Sequence, residues 1–92
     1  MDDKTRRALL NRVRRLRGQL SGIERMIETD RYCVDVLVQI AAVRAAALQL
    51  GKALLASHVE TCVVPALSTG SARDRRDKMR ELVDLFGRFG GS

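Results

Sequence analysis

Ninety-two residues with 46% hydrophobic but only 3% aromatic content leave room for one small domain and exclude a large enclosed enzyme cleft. A formal charge of +6 directs a soluble domain toward nucleic acid before acidic small molecules. No apolar run is expected to reach the roughly 20 residues of a membrane span, and the start, MDDKTRRALL, has no signal-peptide stretch, so a cytoplasmic, thiol-reducing setting is expected.

The chain reads as all-α, with one internal proline and a core of Leu, Val, Ile and Ala. Asp2 or Asp3 can cap a first helix running to about Glu28. Leu9, Val13, Leu16, Leu20, Ile23 and Ile27 recur at alternating spacings of 4 and 3, a heptad seam that wants a partner helix. Thr29-Asp30 is expected to break that helix and cap the next, over about residues 31–64. Between Val34 and Leu50 its only polar residues are Asp35, Gln39, Arg44 and Gln49. A helix this apolar must be covered on more than one side. The rest of the chain is too short to do so, and a long antiparallel bundle of two copies is the natural solution. Gly51 among the alanines suggests close helix packing. Pro65 is expected to weaken or kink the helix just past Cys62. Ser71 and Asp74 have capping-box spacing and open a third helix, about 72–89. Gly90-Gly91-Ser92 is expected to fray.

Cys33 and Cys62 are the only cysteines and His58 the only histidine. His58 and Cys62, four apart, share one helix face. Cys33 lies twenty-five residues before His58, about 37 Å along a helix. The three can share a ligand only if a second copy packs antiparallel, which gives an intersubunit set of two sulfurs and one nitrogen. Buried small cysteines and a hydrogen-bonded histidine would account for the same residues without a ligand. Cys33 in the first turn of a helix favours thiolate, and so ligation or redox chemistry.

Lys4, Arg6, Arg7, Arg12, Arg14, Arg15 and Arg17 crowd into fourteen residues, with no acid from Lys4 to Ile23. A solvated helix ordinarily mixes signs at i,i+4, so this face points to a polyanion.

Three motifs then stand in order: Arg17-Gly18-Gln19, Asp30-Arg31-Tyr32-Cys33, and His58 to Cys62 as HVETC. With the helices that carry them, over about residues 7–64, they make the chain similar to the copper-sensitive operon repressor family. That family also holds nickel/cobalt, formaldehyde and persulfide sensors. The resemblance implies a three-helix protomer, an antiparallel dimer forming four-helix bundles, and a disc-shaped homotetramer as a dimer of dimers. It implies a repressor that holds operator DNA without effector and releases it on binding effector. Cys33, His58 and Cys62 match the Cu(I) sensors; Tyr32 and Glu81 map onto the outer pair that accompanies their site. Nickel-type sensors carry a further N-terminal His, formaldehyde-type sensors an N-terminal Pro, and persulfide sensors lack the His. Arg7, Arg12, Arg14, Arg15, Arg17 and Gln19 are the expected DNA contacts.

The ligand chemistry agrees with a soft, low-coordinate Cu(I) ion. Zn(II) would seek a fourth ligand, and Ni(II) more nitrogen. A persulfide or oxidant sensor crosslinking Cys33 to Cys62, or a sensor of another metal in the same family, is the alternative. A thiol enzyme built on His58 and Cys62 lacks an orienting acid and a cleft. A structural RNA-binding protein would explain the charge but not the sulfurs.

Overall fold

The structure, a computed structural model, describes residues 1–89; the fraying expected at residues 90–92 lies outside them. The order is α1 (Asp3–Glu28), α2 (Cys33–His58), a π-helical turn (Val59–Val63), α3 (Val64–Thr69) and α4 (Ala72–Phe89), with no strand among the described residues.

Each end has a local cause. The Asp2 carboxylate accepts from the Thr5 backbone N–H at 2.7 Å, and that bond holds its pKa below the usual value. The capping contribution is therefore present above the ordinary carboxylate range and fades as pH falls through the lowered value. At the far end Asp30 adopts φ 54°. The Arg31 N–H bonds Met26 O at 2.9 Å and the Asp30 N–H bonds Ile27 O at 3.2 Å, a Schellman closure with an acidic residue in the left-handed position. Asp30 is thus spent on ending α1 and does not cap α2, contrary to the sequence expectation. The N-cap of α2 is Tyr32, with no side-chain hydrogen bond.

Pro65 does not end the second helix. It sits early in α3, and the chain stays helical from Cys33 to Thr69. The adjustment falls one turn earlier, where the Val64 N–H reaches back five residues to Val59 O. Proline cannot donate to the carbonyl four residues back, here Thr61, and its ring crowds it; the wider turn relieves both. Ser71 and Asp74 open α4 by reciprocal bonds, Asp74 N–H to Ser71 Oγ at 3.2 Å and Ser71 N–H to Asp74 Oδ2 at 3.3 Å, the capping box read from the sequence.

α1 packs antiparallel along α2, and α4 folds back over the π turn and the end of α2. The protomer measures 57 × 28 × 14 Å with a radius of gyration of 17.7 Å, against about 12 Å for a compact chain of this length. Its thinnest dimension is little more than one helix diameter, so it is close to a single layer and cannot enclose a core alone. Among the described residues only Leu9, Ile23, Val36 and Val63 are buried hydrophobics, whereas Val13, Leu20, Ile27, Leu37 and Val38 lie exposed. Half of the predicted α1 seam is therefore uncovered. The Cys33–Thr69 helix is, by length and composition, apolar enough to cross a membrane, which corrects the expectation that no such run exists. Only 6% of its most apolar window is buried within the protomer.

Gly51 serves a different neighbour than a bare helix backbone. A Cβ there would stand 2.5 Å from Phe89 Cε1, so the glycine seats the last ring of α4. Gly51→Ala gains about 1 kcal/mol in helix propensity but sets about 1–3 kcal/mol of overpacking against it. The expected result is a net loss of stability with faster hydrogen exchange at amides 85–89. Unchanged exchange there would mean that the ring has another seat.

Candidate metal centre

His58 closes α2, and its side chain is about one-quarter exposed (25%). Its Nε2 lies 3.0 Å from Glu81 Oε1 on α4, while Glu81 Oε2 lies 3.6 Å from Lys78 Nζ. The Nε2 atom is fully buried, yet it sits off the line of a well-formed hydrogen bond. With Nε2 turned to Glu81, Nδ1 is the nitrogen left to ligate. Lys78 as second partner of Glu81 was not visible in the sequence, where only i,i+3 spacing could have suggested it.

Cys62 sits inside the π turn, beside Thr61, whose hydroxyl oxygen is 3.6 Å from Cys62 Sγ and donates to Ser57 O at 2.8 Å. His58 and Cys62 border one mostly apolar cavity of about 450 Å³, walled by Leu54, Leu55, Leu85 and Phe89. The structure therefore pairs His58 with Glu81 and sets His58 and Cys62 on the border of one cavity. Cys33 and Tyr32 lie at the opposite end of α2, both exposed, and Cys33 borders a separate shallow pocket with Arg31 and Val36. No group of three His, Cys, Asp or Glu side chains gathers among the described residues. One protomer thus carries two incomplete donor sets, a thiol at one end of a rod and a thiol with an imidazole at the other.

These donors fit a soft cation. A buried imidazole nitrogen already faces a carboxylate, the usual arrangement for orienting a metal-bound histidine. Both thiols are free and exposed in the protomer. The apolar walls suit an ion that needs few ligands and little water.

Arg7, Arg12, Arg14, Arg15 and Arg17 are exposed along α1. Arg14 reaches only Asn11, at 3.4 Å, and the α1 ion pair among the described residues is Arg6–Asp3 at 3.0 Å. Gln19 differs: it is half-buried between α1 and α2, its Oε1 inaccessible and without a partner, near Gln39. The exposed Arg73, Arg75, Arg76 and Arg80 add a second basic stretch on α4, interleaved in the sequence by Asp74 and Asp77.

A thin all-helical protomer with a split thiol–imidazole donor set and a basic first helix defines a ligand-sensing DNA regulator. Residues 5–88 match the family of metal-sensitive transcriptional repressors, and the chain belongs to that family. Its members are repressors of transcription, which act on operator DNA, and not enzymes. The chain is 43% identical over 86 residues to the copper-sensing transcriptional repressor CsoR of Bacillus subtilis (strain 168), spanning 94% of this chain and 82% of that one. Its fold matches the crystal structure of the copper-sensing repressor CsoR with Cu(I) from Geobacillus thermodenitrificans NG80-2, at a TM-score of 0.86 and 36% identity over 98% of this chain and 91% of that chain. It also matches the nickel-responsive transcriptional regulator InrS, at a TM-score of 0.73 and 31% identity over 90% of each chain. One fold therefore serves more than one metal, and the effector must be argued from the donors.

Proposed function

We propose that the chain is a Cu(I)-responsive transcriptional repressor, acting as one regulatory domain over residues 1–92. Without effector it holds operator DNA; on binding Cu(I) it lets go. The observation that carries this is the donor set: His58 and Cys62 on one cavity wall, His58 backed by Glu81, in a chain similar to copper-sensing repressors. Cys33 of one subunit joins His58 and Cys62 of another, with Tyr32 beside it, across antiparallel second helices. Two thiolates and one imidazole nitrogen make a three-coordinate site suited to Cu(I).

The same packing covers the exposed apolar faces of α1 and α2. A second copy, rather than a bilayer, covers them in a cytoplasmic repressor. A dimer of dimers then presents basic α1 faces together, and homotetramer and operator DNA are the two partners of this reading. His58 and Glu81 tie the ligand site to α4. Ligation biases the assembly toward a shape whose arginines no longer match the duplex, and a coupling of about 1.4 kcal/mol suffices for tenfold release.

The test is operator affinity under anaerobic conditions with Cu(I), Ni(II), Zn(II) or a persulfide donor. Release by stoichiometric Cu(I) alone is expected. Release by nickel or persulfide, with copper inert, would move the protein to another sensor class of the same family. DNA contact through α1 has its own check. Replacing Arg12 and Arg15 by glutamine should weaken operator binding and flatten the log–log salt dependence by up to about 2, since each phosphate contact contributes about 0.9. Copper affinity should stay as it is. An unchanged salt slope would place the contact surface elsewhere, with the α4 arginines the next candidates.

A further inference from the structure

The antiparallel pairing of α1 with α2 brings the start of the chain beside the end of α2. Met1 borders the same cavity as His58 and Cys62. No other methionine does: Met26 lines a different pocket and Met79 is exposed on α4. Within one protomer, therefore, Met1, Cys62 and His58, residues that carry a thioether, a thiol and an imidazole, all border one mostly apolar space of about 450 Å³. All three are donors that Cu(I) accepts. Cys33, the second thiol, stands at the far end of the rod.

We propose that Met1, His58 and Cys62 form a landing site for Cu(I) within a single protomer, occupied before Cys33 of a second subunit displaces the Met1 thioether. This rests on the Cu(I) reading of the preceding section. Met1 suits the part on three counts. Its side chain is unbranched and polarisable, so it can sweep the cavity mouth. Met1 is half exposed, at 51%, and so meets an incoming ion at the surface while His58 waits deeper. Its sulfur is neutral and a weaker donor than thiolate, so it can be replaced. The exchange is balanced without redox chemistry: copper remains Cu(I), the thioether leaves unchanged, and the incoming Cys33 thiol gives its proton to solvent. The neighbouring Asp2 carboxylate does not compete, because it caps the Thr5 N–H.

The first test isolates the landing site. A Met26→Leu, Met79→Leu, Cys33→Ala chain, labelled with selenomethionine so that position 1 carries the sole selenium, is given one Cu(I) per protomer and examined at the selenium absorption edge. Copper at bonding distance from selenium is expected, and its loss on adding His58→Ala. Leu for Met conserves volume and should spare the fold. Copper bound without a selenium contact, or no copper bound by the Cys33→Ala chain, overturns the landing site. The second test compares Cu(I) uptake from a glutathione donor by the native chain and a Met1→Leu chain released from a fusion that leaves no extra residue. Slower uptake is expected at unchanged final occupancy; equal rates overturn the proposal. A native chain that takes up no Cu(I) overturns the functional reading itself. A native chain that binds Cu(I) and releases DNA, while the selenium sees no copper, overturns only the landing site.

Discussion

A Leu37→Glu, Val38→Glu chain is expected to sediment as a monomer, to lose tight Cu(I) binding and to lose operator affinity together. Leu37 and Val38 are 60% and 58% exposed in the protomer, although they sit on an apolar helix with few charges. Burying each in an assembly contributes about 1.5–3 kcal/mol, and a carboxylate forced into the same place costs several more unless it is paired. Four buried hydrophobic side chains among the described residues do not stabilise a chain of this size alone. Dissociation should therefore also lower the helix signal at micromolar concentration. Metal binding should fall with assembly because Cys33 and His58 stand about 37 Å apart on one helix, so the proposed site needs a second subunit. The measurements are sedimentation velocity, competition for Cu(I) and operator binding on the same preparation. A tetramer that survives both glutamates would put the interface on another face. A monomer that binds Cu(I) as tightly as the native chain would end the intersubunit site.

The sequence made the helical class and the first helix legible for a plain physical reason. Asp2, the heptad seam and the Ser71–Asp74 box are local signals, written within one or two turns of the structure they specify. The donor chemistry was equally readable, because a single histidine and two cysteines leave little choice. What was not legible depends on competition between neighbours. Asp30 has the side chain of an N-cap, but the left-handed position that ends α1 claimed it first. Pro65 reads as a weak point or kink just past Cys62; the cost of its missing N–H is absorbed by a π turn spanning Cys62 itself. That turn is itself consequential, since it sets which way Cys62 faces relative to His58. Gly51 reads as a helix–helix contact, yet its neighbour is a ring thirty-eight positions later. Met1 beside His58 is a product of the antiparallel pairing alone, and no local pattern announces it.

His58→Ala should separate ligation from regulation, because in the proposed site Cys33 and Cys62 are the soft donors expected to hold most of the Cu(I) affinity. Of the three proposed ligands only His58 has a second nitrogen, and the structure sets its Nε2 3.0 Å from Glu81 Oε1. A metal held at Nδ1 would make the Nε2–H a stronger donor, and the Glu81 carboxylate facing it would pass that change to α4. Lys78, one turn earlier on α4, lies 3.6 Å from the other carboxylate oxygen. Removing the imidazole should therefore leave substantial copper binding while the loaded protein keeps hold of DNA. In free-energy terms the coupling, ordinarily about 1–3 kcal/mol for such switches, should shrink toward zero. Glu81→Ala should give a milder form of the same uncoupling with the copper site intact. Tyr32→Phe tests whether the residue beside Cys33 completes the relay from the neighbouring subunit, and a smaller loss is expected. Operator affinity is measured with and without Cu(I) for each variant at one salt concentration, alongside copper occupancy. If the His58→Ala protein fills with copper and still releases DNA as the native chain does, the bridge between the two thiolates drives the switch unaided and the Glu81 contact serves only to seat α4.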